Sequence, residues 1–307
     1  MEKHKETPPE IPAQQHRPDG SEILTDKQIA AAVRKKSFPT WVDLLAIIGM
    51  FVLSNLLVGA LVLSLLGGES GLAVFLSYAG TFLITIAFAL TLTKRRTGTV
   101  KNILSFSFKG FNPSVILWGL ILMLAANVVI EPLIELFPSQ WYDLVTEQIS
   151  AGGWATVTAV VLAPILEEML FRGIIQDSLV RKRGPWSGIL IASAIFGLIH
   201  GIPQQVVAGF CLGIIIGFVY YKTRSLLSVI VLHAINNALA TFMNLFESEE
   251  GGIAGQSLRD LIGNDPVYWA VFAFCAVLLI VSLVQVQVSI RKGRERRMLK
   301  TEEKSTE

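Results

Sequence analysis

The chain has 307 residues, of which 52% are hydrophobic and only 16% charged; soluble globular chains carry about 25% charged residues. A net charge of +2, sorted by region rather than spread over a face, offers nothing to a nucleic-acid partner. The two cysteines, Cys211 and Cys275, both sit in apolar runs and give no support to a disulfide framework.

Residues 1–38 are polar, charged and proline-bearing, and read as a mostly disordered cytoplasmic tail, with no cleavable signal peptide ahead of Trp41. The apolar residues then fall in blocks of about 17–25, the length of an α-helix across a bilayer. The expected fold class is therefore all-α, a polytopic helical membrane protein with about eight transmembrane helices. Their expected ranges are 41–66, 71–93, 114–137, 154–180, 186–201, 203–221, 225–245 and 266–290.

Between the second and third spans, residues 97–112 are too polar to cross and too apolar for a free loop. They are expected to lie in the interface, with Lys101 and Lys109 in water. Gly209, Gly213 and Gly217 recur every fourth residue in the sixth span, a seam along which a neighbouring helix can approach closely. Basic residues cluster before the first span (Arg34, Lys35, Lys36) and after the second (Lys94, Arg95, Arg96). They cluster again after the fourth (Arg181, Lys182, Arg183), the sixth (Lys222, Arg224) and the eighth ("RKGRERRMLK"). The intervening loops contain only Arg259. With eight crossings all basic clusters fall on one side, which predicts a multi-pass protein of the cell membrane with both termini cytoplasmic.

An ionisable side chain inside a span costs several kcal/mol and marks function. Three spans contain such groups: Glu167, Glu168 and Arg172 in the fourth, Phe196 and His200 in the fifth, and His233 with Asn236 and Asn237 in the seventh. Glu168 and Arg172 are four apart and share a helical face, as do His233 and Asn237. Glu167 is turned about 100° from Glu168 and faces another neighbour. One carboxylate can thus be neutralised by the arginine while the other stays available. Of four histidines, His4 and His16 are in the tail, and His200 and His233 are both in the membrane.

In a low-dielectric cavity, a glutamate beside a histidine can hold a water molecule and take its proton. A second histidine with a nearby asparagine supplies donors for an oxyanion. These are the parts for hydrolysing an acyl bond with water as nucleophile; no serine or cysteine nucleophile is evident, and Ser193 is not preferred. Two histidines and a glutamate also suit catalytic zinc, with Glu167, His200 and His233 as ligands, and the residues alone do not separate the two chemistries. The ligands would come from three helices without an HExxH pair, and a metal-free mechanism with no cofactor is the preferred reading. Glu131 and Glu135, four apart near the outer end of the third span, are expected to reach interfacial water by Pro132. The rival reading joins them with Glu167 and the histidines in the ion path of a transporter. A scaffold for a membrane partner is a third reading, which the complete polar set disfavours.

"EEMLFR" (Glu167, Glu168, Arg172), "FGLIH" (Phe196, His200) and "HAINN" (His233, Asn237) resemble, in order, the EExxxR, FxxxH and HxxxN motifs of the CAAX-protease and bacteriocin-processing family of intramembrane endopeptidases. The resemblance implies that Glu167 activates water with help from His200. His233 and Asn237 would form the oxyanion site, with Glu168, Arg172 and Phe196 in support. The implied substrate is a membrane-associated protein or peptide met within the lipid bilayer. The expected organisation is a tail (1–38), two spans with an interfacial segment (39–113), an endopeptidase core (114–245), and a last span with a basic tail (246–307).

Overall fold

In a computed structural model, residues 38–66, 70–100, 104, 106, 111–138, 153–249 and 257–306 are described. The expected tail, its basic cluster at 34–36 and most of the interfacial segment, including Lys101 and Lys109, lie outside them. Among the described residues all regular structure is helical. The helices are α1 (Trp41–Leu66), α2 (Gly71–Thr97), α3 (Pro113–Ile134), α4 (Trp154–Arg183), α5 (Pro185–Leu198), α6 (Pro203–Thr223), α7 (Leu226–Glu249), α8 (Leu258–Ile262) and α9 (Asp265–Thr306). Local signals set the ends. Ser70 caps α2 by accepting from the Ala73 amide, Asn112 caps α3 ahead of Pro113, and Gly98 ends α2 at φ 82°.

Six of these helices are long and apolar enough to cross a membrane: α1, α2, α3, α4, α6 and α9. The expected number of about eight is not confirmed, since α5 and the apolar part of α7, Leu226–Phe242, are shorter. The 14 residues of α5 rise about 21 Å, against a hydrocarbon core of about 30 Å. Pro203, which opens α6, and the turn through Gly201 (φ 73°) stop α5 early. The early stop leaves His200 in a tight turn rather than on a helix.

The helices bury two apolar clusters. Ile47 of α1, Phe82 and Ile86 of α2, Leu170 and Ile174 of α4 and Phe196 of α5 belong to one. Val115 and Met123 of α3, Ile216 and Val219 of α6, Val229 and Leu232 of α7 and Val286 of α9 belong to the other. The glycine seam of α6 fits its expected use. A Cβ at Gly213 would stand 2.9 Å from the Cβ of Ser193, so only glycine lets α5 and α6 approach this closely.

The basic residues gather at one end of the bundle. Arg96 bonds Asp43 at 2.9 Å, Lys182 donates to the Pro39 carbonyl at 2.8 Å, and Arg183 lies over the Trp41 ring. Arg181 and Arg224 both pair with Asp177. Here the chain meets water, and these pairs tie the starts of α1 and α7 to the end of α4. The chain is a multi-pass helical membrane protein.

Candidate active site

The helix bearing the two glutamates is irregular where they sit. Within α4 the backbone widens to π-helical turns over Thr158–Leu162 and again over Met169–Gln176, leaving Ala163–Glu168 as a regular piece between them. Such turns are rare and occur frequently at functional sites. The one at Thr158–Leu162 has an outside partner: the Asn237 amide of α7 donates to the Ala159 carbonyl at 2.9 Å.

Glu168 is fully buried and held from two sides. Arg172 Nε lies 3.2 Å from its Oε2, and His233 Nδ1 donates to its Oε1 at 2.9 Å. The Arg172 guanidinium is in turn 4.5 Å above the Phe196 ring, a cation–π contact that shares the cost of burying the charge. Phe196 also meets Phe171, His200 and His233 edge-on, at 5.1, 5.0 and 6.0 Å between centroids. Phe196 therefore packs behind the site, where the three motifs meet, and does not line the cavity.

Glu167 points elsewhere, as its 100° offset requires. The Tyr78 hydroxyl of α2 donates to its Oε1, and His233 Nε2 stands 3.7 Å from its Oε2. Tyr78 is stacked on Phe82 at 4.7 Å, which fixes the hydroxyl. His233 reaches both carboxylates, because α7 packs against α4.

A cavity of about 480 Å³ opens beside Glu167. Its wall includes Tyr78, Phe82, Ile199, His200, Gln205 and, from α1, Phe51, Val52, Asn55 and Leu56. Val52 and Leu56 are 50% and 65% exposed on an apolar span, so the cavity opens sideways toward lipid. His200 Nδ1 donates to the Phe196 carbonyl at 2.8 Å, which leaves Nε2 as the ring nitrogen free for the cavity. His233 and Asn237 are outside the lining.

The structure thus brings Glu167 and His200 to one cavity, and groups Glu168, Arg172, His233 and Phe196 behind it. The Asn237 amide is turned to the backbone of α4. Among the described residues, no three His, Cys, Asp or Glu side chains are grouped so as to hold a metal ion. Ser193 donates to the Ile189 carbonyl at 2.8 Å and is fully buried. Glu131 accepts from the Leu258 amide at the start of α8, and neither it nor Glu135 lines the cavity. Tyr78 and Asn55 were not anticipated. An asparagine near the middle of an otherwise apolar span was the one available signal for Asn55; Tyr78 has no local signature.

Residues 150–239 match the family model described as Rce1-like, type II CAAX prenyl endopeptidase. Over this stretch the chain is similar to the CAAX prenyl endopeptidases. A curated relative from Bacillus subtilis (strain 168), described as "Putative membrane peptidase YdiL", is 29% identical over 101 residues. That stretch is 33% of this chain and 41% of the relative. No solved structure matches the chain. The matched residues contain all three motifs. Tyr78 and the α1 wall of the cavity lie outside them.

Proposed function

We propose that the protein is an intramembrane endopeptidase that hydrolyses a peptide bond in a membrane-associated protein or peptide, with a water activated by Glu167 and His200 as nucleophile. The observation that carries this reading is the shared cavity. A carboxylate and an imidazole face one space that opens toward lipid, and a second carboxylate is locked away by Arg172 and His233. The family match supplies the reaction class.

A water in the cavity donates one hydrogen to Glu167 and the other to His200 Nε2, leaving its lone pairs for the substrate carbonyl. As the O–C bond forms, the water proton passes to Glu167 and the carbonyl becomes an oxyanion. The Tyr78 hydroxyl, no longer bonded to an anion once Glu167 is protonated, turns to that oxyanion. When the C–N bond breaks, Glu167 returns the proton to the leaving amine. Atoms and charge balance without a metal. The family resemblance put His233 and Asn237 at the oxyanion. Their engagement with Glu168 and Ala159 favours a positioning role instead: His233 fixes the two carboxylates, and Asn237 holds the widened turn of α4.

The test is cleavage of a labelled library of membrane peptides by purified protein in lipid nanodiscs. Glu167→Gln and His200→Ala are expected to abolish turnover while leaving thermal unfolding near wild type. Unchanged cleavage by folded Glu167→Gln protein would sink the assignment. Both termini are assigned to the cytoplasm, a reading supported by the gathering of basic residues at one end.

A further inference from the structure

Two carboxamides flank the cavity mouth with nothing to bond. Asn55, near the middle of α1, is exposed, and Gln205, in the first turn of α6, is half-buried. Neither has a hydrogen-bond partner among the described residues. From its start at Trp41, α1 rises roughly 21 Å to Asn55, and α4 rises roughly 24 Å from its end at Arg183 back to Glu167. The starts and ends in question are tied together by the Arg183–Trp41 contact, so Asn55 sits at about the depth of the glutamate. An unpaired amide at that depth is away from bulk water and costs free energy in the resting protein. Leucine would be cheaper there, as it is at Leu53, Leu56 and Leu57.

Resting on the peptidase reading above, we infer that Asn55 and Gln205 form a backbone-binding subsite, which receives an unwound stretch of a membrane-embedded peptide through the lateral mouth. A transmembrane helix satisfies its own amides and carbonyls and cannot present a peptide bond to Glu167 without unwinding. Once unwound in hydrocarbon, each freed N–H and C=O needs a partner. A carboxamide offers two donors and an acceptor in one plane, so it can pair with the N–H and C=O of an extended chain whatever its side chains. Placed on α1 and α6 in the lining of one cavity, Asn55 and Gln205 hold the chain beside Glu167 and His200. The substrate class is thus an apolar membrane segment weakened by a helix-breaking residue, recognised by backbone rather than by sequence.

The experiment uses Glu167→Gln full-length protein in nanodiscs, with the photo-crosslinking residue p-benzoylphenylalanine replacing Leu56 at the mouth. The probes are two synthetic 24-residue poly-Leu/Ala transmembrane peptides, one uninterrupted and one with a central Gly-Pro. Capture of the interrupted peptide is expected to exceed that of the other by at least about fivefold, and Asn55→Leu and Gln205→Leu are each expected to lower it about 2- to 10-fold. Asn55→Gln, which keeps the carboxamide, should retain capture. Asn55→Leu should unfold no more readily than wild type, which separates lost recognition from lost folding. Wild type with Leu56 intact is assayed in parallel for cleavage of the interrupted peptide. Carboxamide-dependent capture with cleavage upholds both readings. The same capture without cleavage upholds the subsite and counts against the peptidase. Capture that is absent, equal for the two peptides, or indifferent to both leucine substitutions overturns the subsite, and cleavage in that case leaves the peptidase reading standing.

Discussion

Replacing Arg172 by methionine removes a buried cation while keeping the length and most of the volume of the side chain. In the wild type Arg172 Nε is 3.2 Å from Glu168 Oε2, and both side chains are at most 1% exposed. At an effective dielectric of about 20, two unit charges at that separation attract by about 5 kcal/mol. The stacking of the guanidinium on Phe196 at 4.5 Å adds roughly 1–2 kcal/mol where desolvated. Desolvation of both ions offsets much of this, so the intact pair contributes little net stability. Breaking it is different, because Glu168 is then left charged and uncompensated. Arg172→Met should therefore cost about 3–5 kcal/mol, a large share of a typical stability of about 5–15 kcal/mol. The double variant Arg172→Met, Glu168→Gln should recover part of that loss, since the neutral carboxamide can still accept from His233. The assay is unfolding of purified protein followed by tryptophan fluorescence, which needs no substrate. If the single variant lies within about 0.5 kcal/mol of wild type, or if the two substitutions simply add, the buried pair is not organised as described.

Three further outcomes follow from the site. Tyr78→Phe keeps the ring on Phe82 and removes only the hydroxyl; kcat on a cleaved membrane peptide should fall about 10- to 100-fold, as for other oxyanion donors or charge-assisted hydrogen bonds. A rate unchanged or raised would show that the hydroxyl merely satisfies Glu167, because a donor to the carboxylate alone makes it a weaker base. Chelation with EDTA or 1,10-phenanthroline should leave cleavage unchanged, and loss restored by added zinc would install the metal chemistry on Glu167, His200 and His233. Gly213→Leu should lower stability by about 1–3 kcal/mol through overpacking against Ser193, read by thermal unfolding, with Gly49→Leu, where a Cβ meets nothing within 4 Å, as the neutral control.

The parts of this arrangement that a helix can specify alone were legible in the sequence. Span positions follow from runs of apolar residues, and the pairing of Glu168 with Arg172 follows from four-residue spacing. The divergent headings of Glu167 and Glu168 follow from the 100° step. Contacts between helices were less accessible, since they depend on crossing angles that no local pattern encodes. Thus Tyr78 reaches Glu167 across 89 positions of sequence, and nothing near Tyr78 announces it. The count of about eight crossings is not confirmed: apolar composition marks α5 and α7, but their apolar stretches are short, and the turn at Gly201 ends α5.

The two widened turns of α4 change what a length mutation would mean. A π turn is an α turn with one surplus residue, and removing that residue from 158–162 would not break the helix but regularise it. Because the wide turn already absorbs the surplus residue, the segments on either side would keep nearly their present phase. Glu167 would keep its bearing on the cavity, and the change would fall on the Ala159 carbonyl, which would return to the helix ladder and lose its partner on α7. The helix behaves like a shaft keyed at two points, whose keys are misalignments kept on purpose. Its phase, more than the identity of any apolar side chain along it, is what aims the glutamates.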